Sequence, residues 1–455
     1  MYESKVYAES PRRIQEAMIS TRARLRRVLR EGHNVRVLLR DAVERERWSI
    51  SELATFQWRQ LQDVLRHARA NVPFYSSKIP DVESFRDQEN SARLMHSLPT
   101  LTKADIVRAG TDLLAKGWRF PGFRGGTSGT TGTPTTIYQN LRSVRREAAF
   151  VARQLLWTGV LAHERRAWIR GDLIVPAEVM TEPYWRVNRA ERTLMMSSYH
   201  LSNQSAHEYL TALEQFAPSL IQAYPSSVGF LARYLEARGR YYGGPPLRGI
   251  VTSSETLTNH DRRTVETRFG CRVFDWYGSF ERVAAIGTCE SGAYHLLSDY
   301  SYVELEPSDD GLFEIIGTGF NNRLMPLIRF RTGDFVELGE VTEACPCGRA
   351  FPRIKSVLGR QDDYIRLRDG RCINRMDHVF KGLSGIAEAQ IIQDDWDEIR
   401  VLLVPTDGFS AVPEAELISK IRKRVGTTVR VSVECIESIP RTRQGKLRSV
   451  ISKVR

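Results

Sequence analysis

The segment Gly125-Gly126-Thr127-Ser128-Gly129-Thr130-Thr131-Gly132-Thr133-Pro134-Thr135 packs four glycines, five threonines and a serine into eleven residues. Glycine lets successive backbone N–H groups turn toward one point and the hydroxyls add donors, so such a loop suits a polyphosphate. A flexible polar linker is the plainer alternative, but linkers seldom join so much threonine to a closing proline beside a helical pattern, here Ser143 to Leu156. The Gly-Lys-Ser/Thr ending of a triphosphatase P-loop is missing, and Ser128 lacks the flanking glycines of a nucleophile elbow.

A second group of residues has the chemistry of a metal site. Cys289 and His295 are separated by five residues, and Cys345-Pro346-Cys347 adds two thiols about fifty residues later. Three thiolates and one imidazole fit a closed, tetrahedral and therefore structural Zn²⁺ site. The spacing differs from common zinc-finger patterns, so unligated thiols in a reducing compartment are the other reading. Six cysteines in 455 residues do not make a disulfide scaffold. His163-Glu164 and His207-Glu208 read as helix surface residues, because neither has a second histidine four residues on.

These residues need elements to hold them. Residues 11–72 carry apolar positions at helical spacing, such as Leu53, Phe56, Leu61, Val64 and Leu65, and Asn71-Val72-Pro73 closes that run. From about 97 to 357, short β-branched runs alternate with helical patterns: Ala167-Trp168-Ile169 before Gly171, Leu220 to Tyr224 before Pro225, Gly249 to Thr252 before Ser253, Arg272 to Tyr277 before Gly278. Strands that end in Gly, Pro or Ser and lead into helices predict an α/β body with several parallel strands, whose ligands gather at the strand carboxyl ends. From Gly359 the pattern changes: a hairpin near Tyr364–Gly370, strands at Ala389–Ile392 and Arg400–Val404, and a helix from Glu414 to Arg424. The predicted fold class is α/β, with a large multi-layer domain over 1–358 (helical over about 1–95) and a small mobile α+β domain over 359–455.

The threonine-rich loop resembles the phosphate loop of the adenylate-forming, or AMP-binding, superfamily, Ser/Thr-Ser-Gly-Thr/Ser-Thr-Gly-x-Pro. The chain is most similar to the branch containing phenylacetate–coenzyme A ligase and the CapK-type proteins. Asn71-Val72-Pro73-Phe74-Tyr75 matches an N-terminal signature of that branch, and further motifs follow in order over most of the chain. The resemblance implies that Thr127, Ser128, Gly129, Thr130, Thr131 and Gly132 hold phosphates. In Tyr277-Gly278-Ser279-Phe280-Glu281 it implies that Tyr277, Gly278 and Ser279 border the nucleotide and that Glu281 holds a phosphate-bridging Mg²⁺, a hard cation preferring oxygen. Asp334, ending Arg329-Phe330-Arg331-Thr332-Gly333-Asp334, is then the acceptor for both ribose hydroxyls, as a carboxylate's paired oxygens allow. In Gly359-Arg360-Gln361-Asp362-Asp363, Arg360 contacts nucleotide and Asp362 is the hinge. Lys446, in Pro440-Arg441-Thr442-Arg443-Gln444-Gly445-Lys446, enters the site for the first half-reaction; taken alone it is one basic residue in a basic tail. Position relative to these motifs puts the acid pocket at Tyr199–Leu201, Tyr224-Pro225-Ser226 and Ser253-Ser254-Glu255.

Two departures stand out. Phe280 occupies the position of a family hydroxyl that touches the α-phosphate or its metal, and Thr133 stands where relatives often carry lysine. Either Ser279 substitutes from the adjacent position, or the nucleotide chemistry is altered.

The resemblance implies an ATP-dependent carboxylate ligase. An acid, expected to be aromatic, attacks the α-phosphorus of MgATP, and the acyl-adenylate passes to coenzyme A. Transfer to an amine or a carrier protein is an alternative, as is a degenerate nucleotide-binding protein without turnover. The expected cofactors are ATP and Mg²⁺ with a structural Zn²⁺, and coenzyme A is the expected co-substrate. Composition agrees: 26% charged and 42% hydrophobic residues suit a globular protein, and no run nears the roughly 18 apolar residues of a membrane span. Net charge is +12, concentrated in Arg12-Arg13, Arg22, Arg24, Arg26-Arg27 and Arg30 and in the C-terminal tail. Mixed elsewhere with Asp and Glu, it reads as a solvated basic surface attracting phosphorylated small molecules, without nucleic-acid or membrane partners. The first residues, Met1-Tyr2-Glu3-Ser4-Lys5, lack an apolar signal core, which predicts a cytoplasmic location.

Overall fold

The computed structural model describes all residues except 3, 31–32, 82–90, 118–121, 128–134, 162, 177, 180, 203, 258, 309–311, 340–343, 360–364, 369–371, 374–375, 381–382, 384–385, 406–413, 437–438, 440–449 and 455. Helices Arg12–Arg30, His33–Glu44 and Ile50–Asn71 open the chain. The third starts at a capping box, in which Ser49 and Glu52 satisfy each other's backbone N–H groups. It ends at Asn71, where Val72 turns extended ahead of Pro73. Its inward face, Trp58, Leu61, Val64, Leu65 and Ala68, packs with Ile137 and Phe330, residues of two strands that border the candidate site.

A nine-stranded sheet forms the body. At its centre, five parallel strands lie in the order Val273–Gly278, Gly249–Ser253, Leu220–Ala223, Arg166–Arg170, Thr193–Ser197. Helices Ala206–Phe216, Pro225–Glu236 and Asn259–Phe269 connect successive parallel strands. Gly249–Ser253 is buried at every position, as expected of a parallel strand covered on both faces. Ile250 and Val273 face a cluster with Val228, Leu231, Val265 and Phe269, whereas Val251 and Phe274 face Phe150 and Trp157 of helix Leu141–Trp157.

The alternation of strand and helix stops at Gly278. Ala285–Thr288, Tyr294–Leu296 and Arg353–Ile354 extend one edge of the sheet antiparallel, and Trp185–Asn188 does so at the other. A separate antiparallel sheet holds Ser301–Pro307, Phe313–Gly319, Phe330–Glu337 and Ser356–Gly359. The expected α/β pattern up to 357 therefore gives way to β structure after 278, because those strands pair antiparallel and need no crossover helix. The C-terminal segment has its own four-stranded sheet, Arg430–Cys435, Glu398–Pro405, Ile386–Asp395 and Val450–Ser452, with helix Glu414–Val425.

One buried ion network ties the helices to the body. Arg153, fully buried, donates two hydrogen bonds to Asp299 at 2.8 and 3.0 Å, and Arg45 adds a third at 2.9 Å. Burial alone pushes the Asp299 carboxyl up, but the guanidiniums of Arg153 and Arg45 outweigh it and hold the group below its ordinary value.

Candidate functional site

Strand Val273–Gly278 delivers Tyr277, Gly278 and Ser279 to the carboxyl edge of the parallel sheet. There the Tyr277 hydroxyl donates to Asp334 Oδ2 at 2.8 Å. Asp334 arrives from the antiparallel sheet, within strand Phe330–Glu337. Its backbone N–H donates to Thr332 Oγ1 at 3.0 Å, and that hydroxyl donates to the Ile315 carbonyl at 2.8 Å. Between them Gly333 takes φ +72°, a left-handed conformation glycine adopts without a Cβ penalty. The two motifs, 57 residues apart, meet in one place.

The turn after Tyr277 carries the other polar groups. Ser279 Oγ is buried and has no hydrogen-bond partner among the described residues, and Glu281 is buried at 5% exposure. Phe280 does not face the same way. Its ring lies against Gly125, where an added Cβ would sit 2.1 Å from the ring's Cζ. Its carbonyl accepts from Gln139 Nε2 at 2.8 Å. Gly125 and Gln139 belong to the paired strands Phe123–Thr127 and Thr135–Gln139, which flank the threonine-rich loop. Just beyond, Arg282 (φ +58°) donates to Ser143 Oγ at 2.8 Å, and Ser143 lies in the first turn of helix Leu141–Trp157, capped by Asn140. The loop's two strands and the helix that follows are thus clamped to residues 280–282.

The expected acid-pocket residues also fall at the carboxyl edge. The Tyr199 hydroxyl donates to the Gly171 carbonyl at 3.0 Å. A Cβ on Gly171 would lie 2.9 Å from Tyr224 Oη and 3.5 Å from Tyr199 Oη, so two phenols converge on the glycine that ends strand Arg166–Arg170. Leu201 is buried. The Ser226 N–H donates to Glu255 Oε2 at 3.1 Å, setting a carboxylate on the first turn of helix Pro225–Glu236, where the helix dipole favours it. Ser253 is buried with its Oγ 3.3 Å from that of Ser254, which is exposed at φ +74°. Thr127 pairs with Thr135 at the end of its strand. Ser128, Gly129, Thr130, Thr131, Gly132, Arg360, Asp362 and Lys446 lie outside the described residues.

Residues 367–453 match the CapK C-terminal domain family. Protein CapK of Staphylococcus aureus is 25% identical over 454 residues, spanning 99% of each chain. This chain is a relative of CapK and of the phenylacetate–coenzyme A ligases. The ligase of that name from Thermus thermophilus is 24% identical, covering 88% of this chain and 96% of its own. Among solved structures, a 2-hydroxyisobutyryl-CoA ligase in its thioesterification state superposes with a TM-score of 0.56 at 19% identity, covering 90% of this chain and 92% of its own. The fold is that of the adenylate-forming ligases.

Within this fold the four expected metal ligands come together. Pairing of Tyr294–Leu296 with Arg353–Ile354 draws His295 toward the turn containing Cys345 and Cys347. The ligand atoms of Cys289, His295, Cys345 and Cys347 all lie within 4.8 Å of one another. Cys289 Sγ and Cys345 Sγ are 3.7 Å apart, close to the edge of about 3.75 Å that a tetrahedron with Zn–S of about 2.3 Å requires. His295 Nδ1 donates to the Phe351 carbonyl at 2.9 Å, which presents Nε2 3.4 Å from Cys347 Sγ. Burial pushes the Cys345 thiol up to about 11, and a bound divalent cation favours the thiolate instead. The donor set fits Zn²⁺. In the turn after Tyr277, buried Glu281 offers the carboxylate oxygen that a hard cation such as Mg²⁺ prefers.

Three features escape sequence reasoning. Arg424 reaches Tyr199 across 225 residues, Arg153 is fully buried, and Gly171 admits two phenols. None has a local pattern, although a glycine closing a parallel strand is a general pointer to the ligand edge. The expectation of a helical His163-Glu164 is corrected: the pair lies in a turn, where Glu164 Oε2 accepts from the Leu161 N–H at 2.7 Å and the carboxylate pairs with Arg248. The local hydrogen bond of an acidic side chain wins over helix continuation there. His207 is exposed on helix Ala206–Phe216, as expected.

Proposed function

We propose that this chain joins a carboxylic acid to coenzyme A through an acyl-adenylate, consuming ATP. The observation that carries the reading is the meeting of Tyr277 and Asp334 at 2.8 Å beside Ser279, Glu281 and the strands of the threonine-rich loop. In the first half-reaction a carboxylate oxygen attacks the α-phosphorus, and pyrophosphate leaves. In the second the thiolate sulfur attacks the acyl carbon, the C–O bond to phosphate breaks, and AMP leaves. Asp334 accepts from the ribose hydroxyls, Tyr277 borders the base, and Ser279 takes the place of the family hydroxyl lost at Phe280. Glu281 would hold Mg²⁺, which when bound would offset phosphate charge. Lys446 brings a point charge to the α-phosphate.

Residues 359–455 form a domain that turns about Asp362 between half-reactions, so that the mixed anhydride is shielded from water until the acceptor arrives. The phenols at Tyr199 and Tyr224 support an aromatic acid. Cys289, His295, Cys345 and Cys347 would hold Zn²⁺, which would brace the segment after Glu281 against that after Asp334. Both co-substrates are cytoplasmic, where we place the reaction.

The test is acid-dependent exchange of labelled pyrophosphate into ATP across a panel of aryl and alkyl acids, followed by addition of coenzyme A. Exchange with at least one acid, with thioester formed on adding coenzyme A, is the expected result. Exchange without thioester, but with product from an amine or a phosphopantetheinyl protein, changes the acceptor. ATP binding with no exchange overturns the proposal and favours the non-catalytic reading that Phe280 raises.

A further inference from the structure

We infer that Arg424 is a positioning residue of the acid pocket: supplied by the C-terminal segment, it fixes the Tyr199 phenol against Gly171 and ties the seating of that segment to the pocket wall. The inference rests on the reading of Tyr199 and Tyr224 as that wall.

In sequence, Arg422-Lys423-Arg424 is a basic cluster at the end of helix Glu414–Val425, where cations complement the helix dipole in solvent. Arg422 and Lys423 behave so and are exposed. Arg424 turns inward and is 8% exposed. Its Nη1 donates to Tyr199 Oη at 2.8 Å, and its guanidinium carbon lies 5.8 Å from the centroid of that ring. The Tyr199 hydroxyl in turn donates to the Gly171 carbonyl at 3.0 Å. A guanidinium, a phenol and a carbonyl in series polarise one another, and each bond stiffens the next. The phenol is therefore held both as donor and as acceptor, with Tyr224 Oη against the same face of Gly171, 2.9 Å from where a Cβ would sit.

Tyr199 is also the apolar contact. It is buried in one cluster with Leu417, Ile421 and Val425 of the Arg424 helix, and Leu173 packs beside it. Every other described member of that cluster lies beyond residue 364. Among the described residues no carboxylate pairs with Arg424. Desolvating the guanidinium offsets part of what its hydrogen bond gains, so the contact is specific without being strong, as a segment that must swing away requires. An acid or its adenylate brings negative charge to the same edge. Whatever the seated segment does for acid binding, acid binding must do equally for seating.

The test compares the full-length wild type with Arg424→Ala, Arg424→Lys and Tyr199→Phe by hydrogen–deuterium exchange. The expected result is amide exchange about tenfold faster over 171–174 and 198–201 in Arg424→Ala, the worth of one charge-assisted hydrogen bond. Arg424→Lys restores part of the protection, Tyr199→Phe loosens 414–425, and helix Ile50–Asn71 is unaffected. Unchanged exchange at 198–201, or equally faster exchange everywhere, overturns the inference. With phenylacetate as the acid probe in pyrophosphate exchange, Arg424→Ala raises KM for the acid about tenfold while KM for ATP stays within twofold; equal KM values for the acid overturn the coupling. A wild type inert to phenylacetate and every other acid defeats the proposed function instead, and the amide-exchange comparison still decides the role of Arg424.

Discussion

Gly125→Ala probes whether the threonine-rich loop is registered by Phe280. The added methyl falls 2.1, 2.6 and 2.9 Å from three ring carbons of Phe280, where carbon atoms in contact keep about 3.5–4.0 Å. Backbone conformation is no obstacle, because Gly125 sits in a regular antiparallel pair opposite Ile137. The strain must be relieved by moving the ring or the strand. Phe280 is 39% exposed and can yield, but its carbonyl is tied to Gln139 on the strand paired with that of Gly125, so part of the shift passes into the loop. Overpacking costs about 1–3 kcal/mol. A partly yielding neighbour places this case at about 1–2 kcal/mol, which at about 1.4 kcal/mol per factor of ten raises KM for ATP by roughly 5- to 30-fold. Phe280→Ala removes the obstacle, so adding Gly125→Ala to it changes KM less than about threefold, and the two mutations are strongly non-additive. KM for ATP from pyrophosphate exchange, with AMP affinity by calorimetry, gives both arms of the cycle. An equal penalty in both backgrounds, or none in the wild type, refutes the reasoning.

Lys446→Ala slows acyl-adenylate formation about 100-fold, the usual loss for one preorganised donor, while thioester formation from supplied acyl-adenylate stays near wild type; equal losses in single-turnover assays of the two steps contradict its role. Asp299→Asn removes the two hydrogen bonds that hold the fully buried Arg153 and leaves it with the longer 3.6 Å pair to Glu46, destabilising the protein by about 3 kcal/mol. Because the Asp299 carboxyl is held below its ordinary value, its contribution is complete above the unfolded value of about 3.9 and is lost as pH falls through the lower folded value. The gap between wild type and Asp299→Asn in urea unfolding should therefore close only below about pH 4, and a gap already closing near pH 6 speaks against this assignment. Wild type should carry one zinc per chain by elemental analysis, and Cys345→Ser should lose it with a fall in Tm; full zinc content in the variant removes Cys345 from the ligand set.

The parallel core is legible because its strands announce themselves. Runs such as Gly249–Ser253 centre on β-branched residues, Ile250-Val251-Thr252, and end in small residues at the ligand edge. The metal ligands are legible as types and counts, but what brings Cys345 and Cys347 to His295 is a two-residue pairing at a sheet edge, too short to leave a pattern. Asp334 is recognised as a motif, whereas its partner Tyr277 arrives from a different sheet, and no local signal links strands that do not pair with each other. Phe280 reads only as a lost hydroxyl until Gly125, 155 residues earlier, is found beneath the ring. Arg153 and Arg424 have the composition of surface residues. Their burial is decided by Asp299 and Tyr199, which lie more than a hundred residues away in the chain.

The central claim, that one bound ATP is attacked at its α-phosphorus by the acid, is tested most directly by oxygen transfer. An acid labelled with ¹⁸O in its carboxylate, chosen as one that supports exchange, is turned over with ATP and coenzyme A, and the phosphorus products are weighed by mass spectrometry. The account predicts AMP carrying one ¹⁸O, with unlabelled pyrophosphate. Unlabelled AMP, or ADP with label in inorganic phosphate, contradicts it.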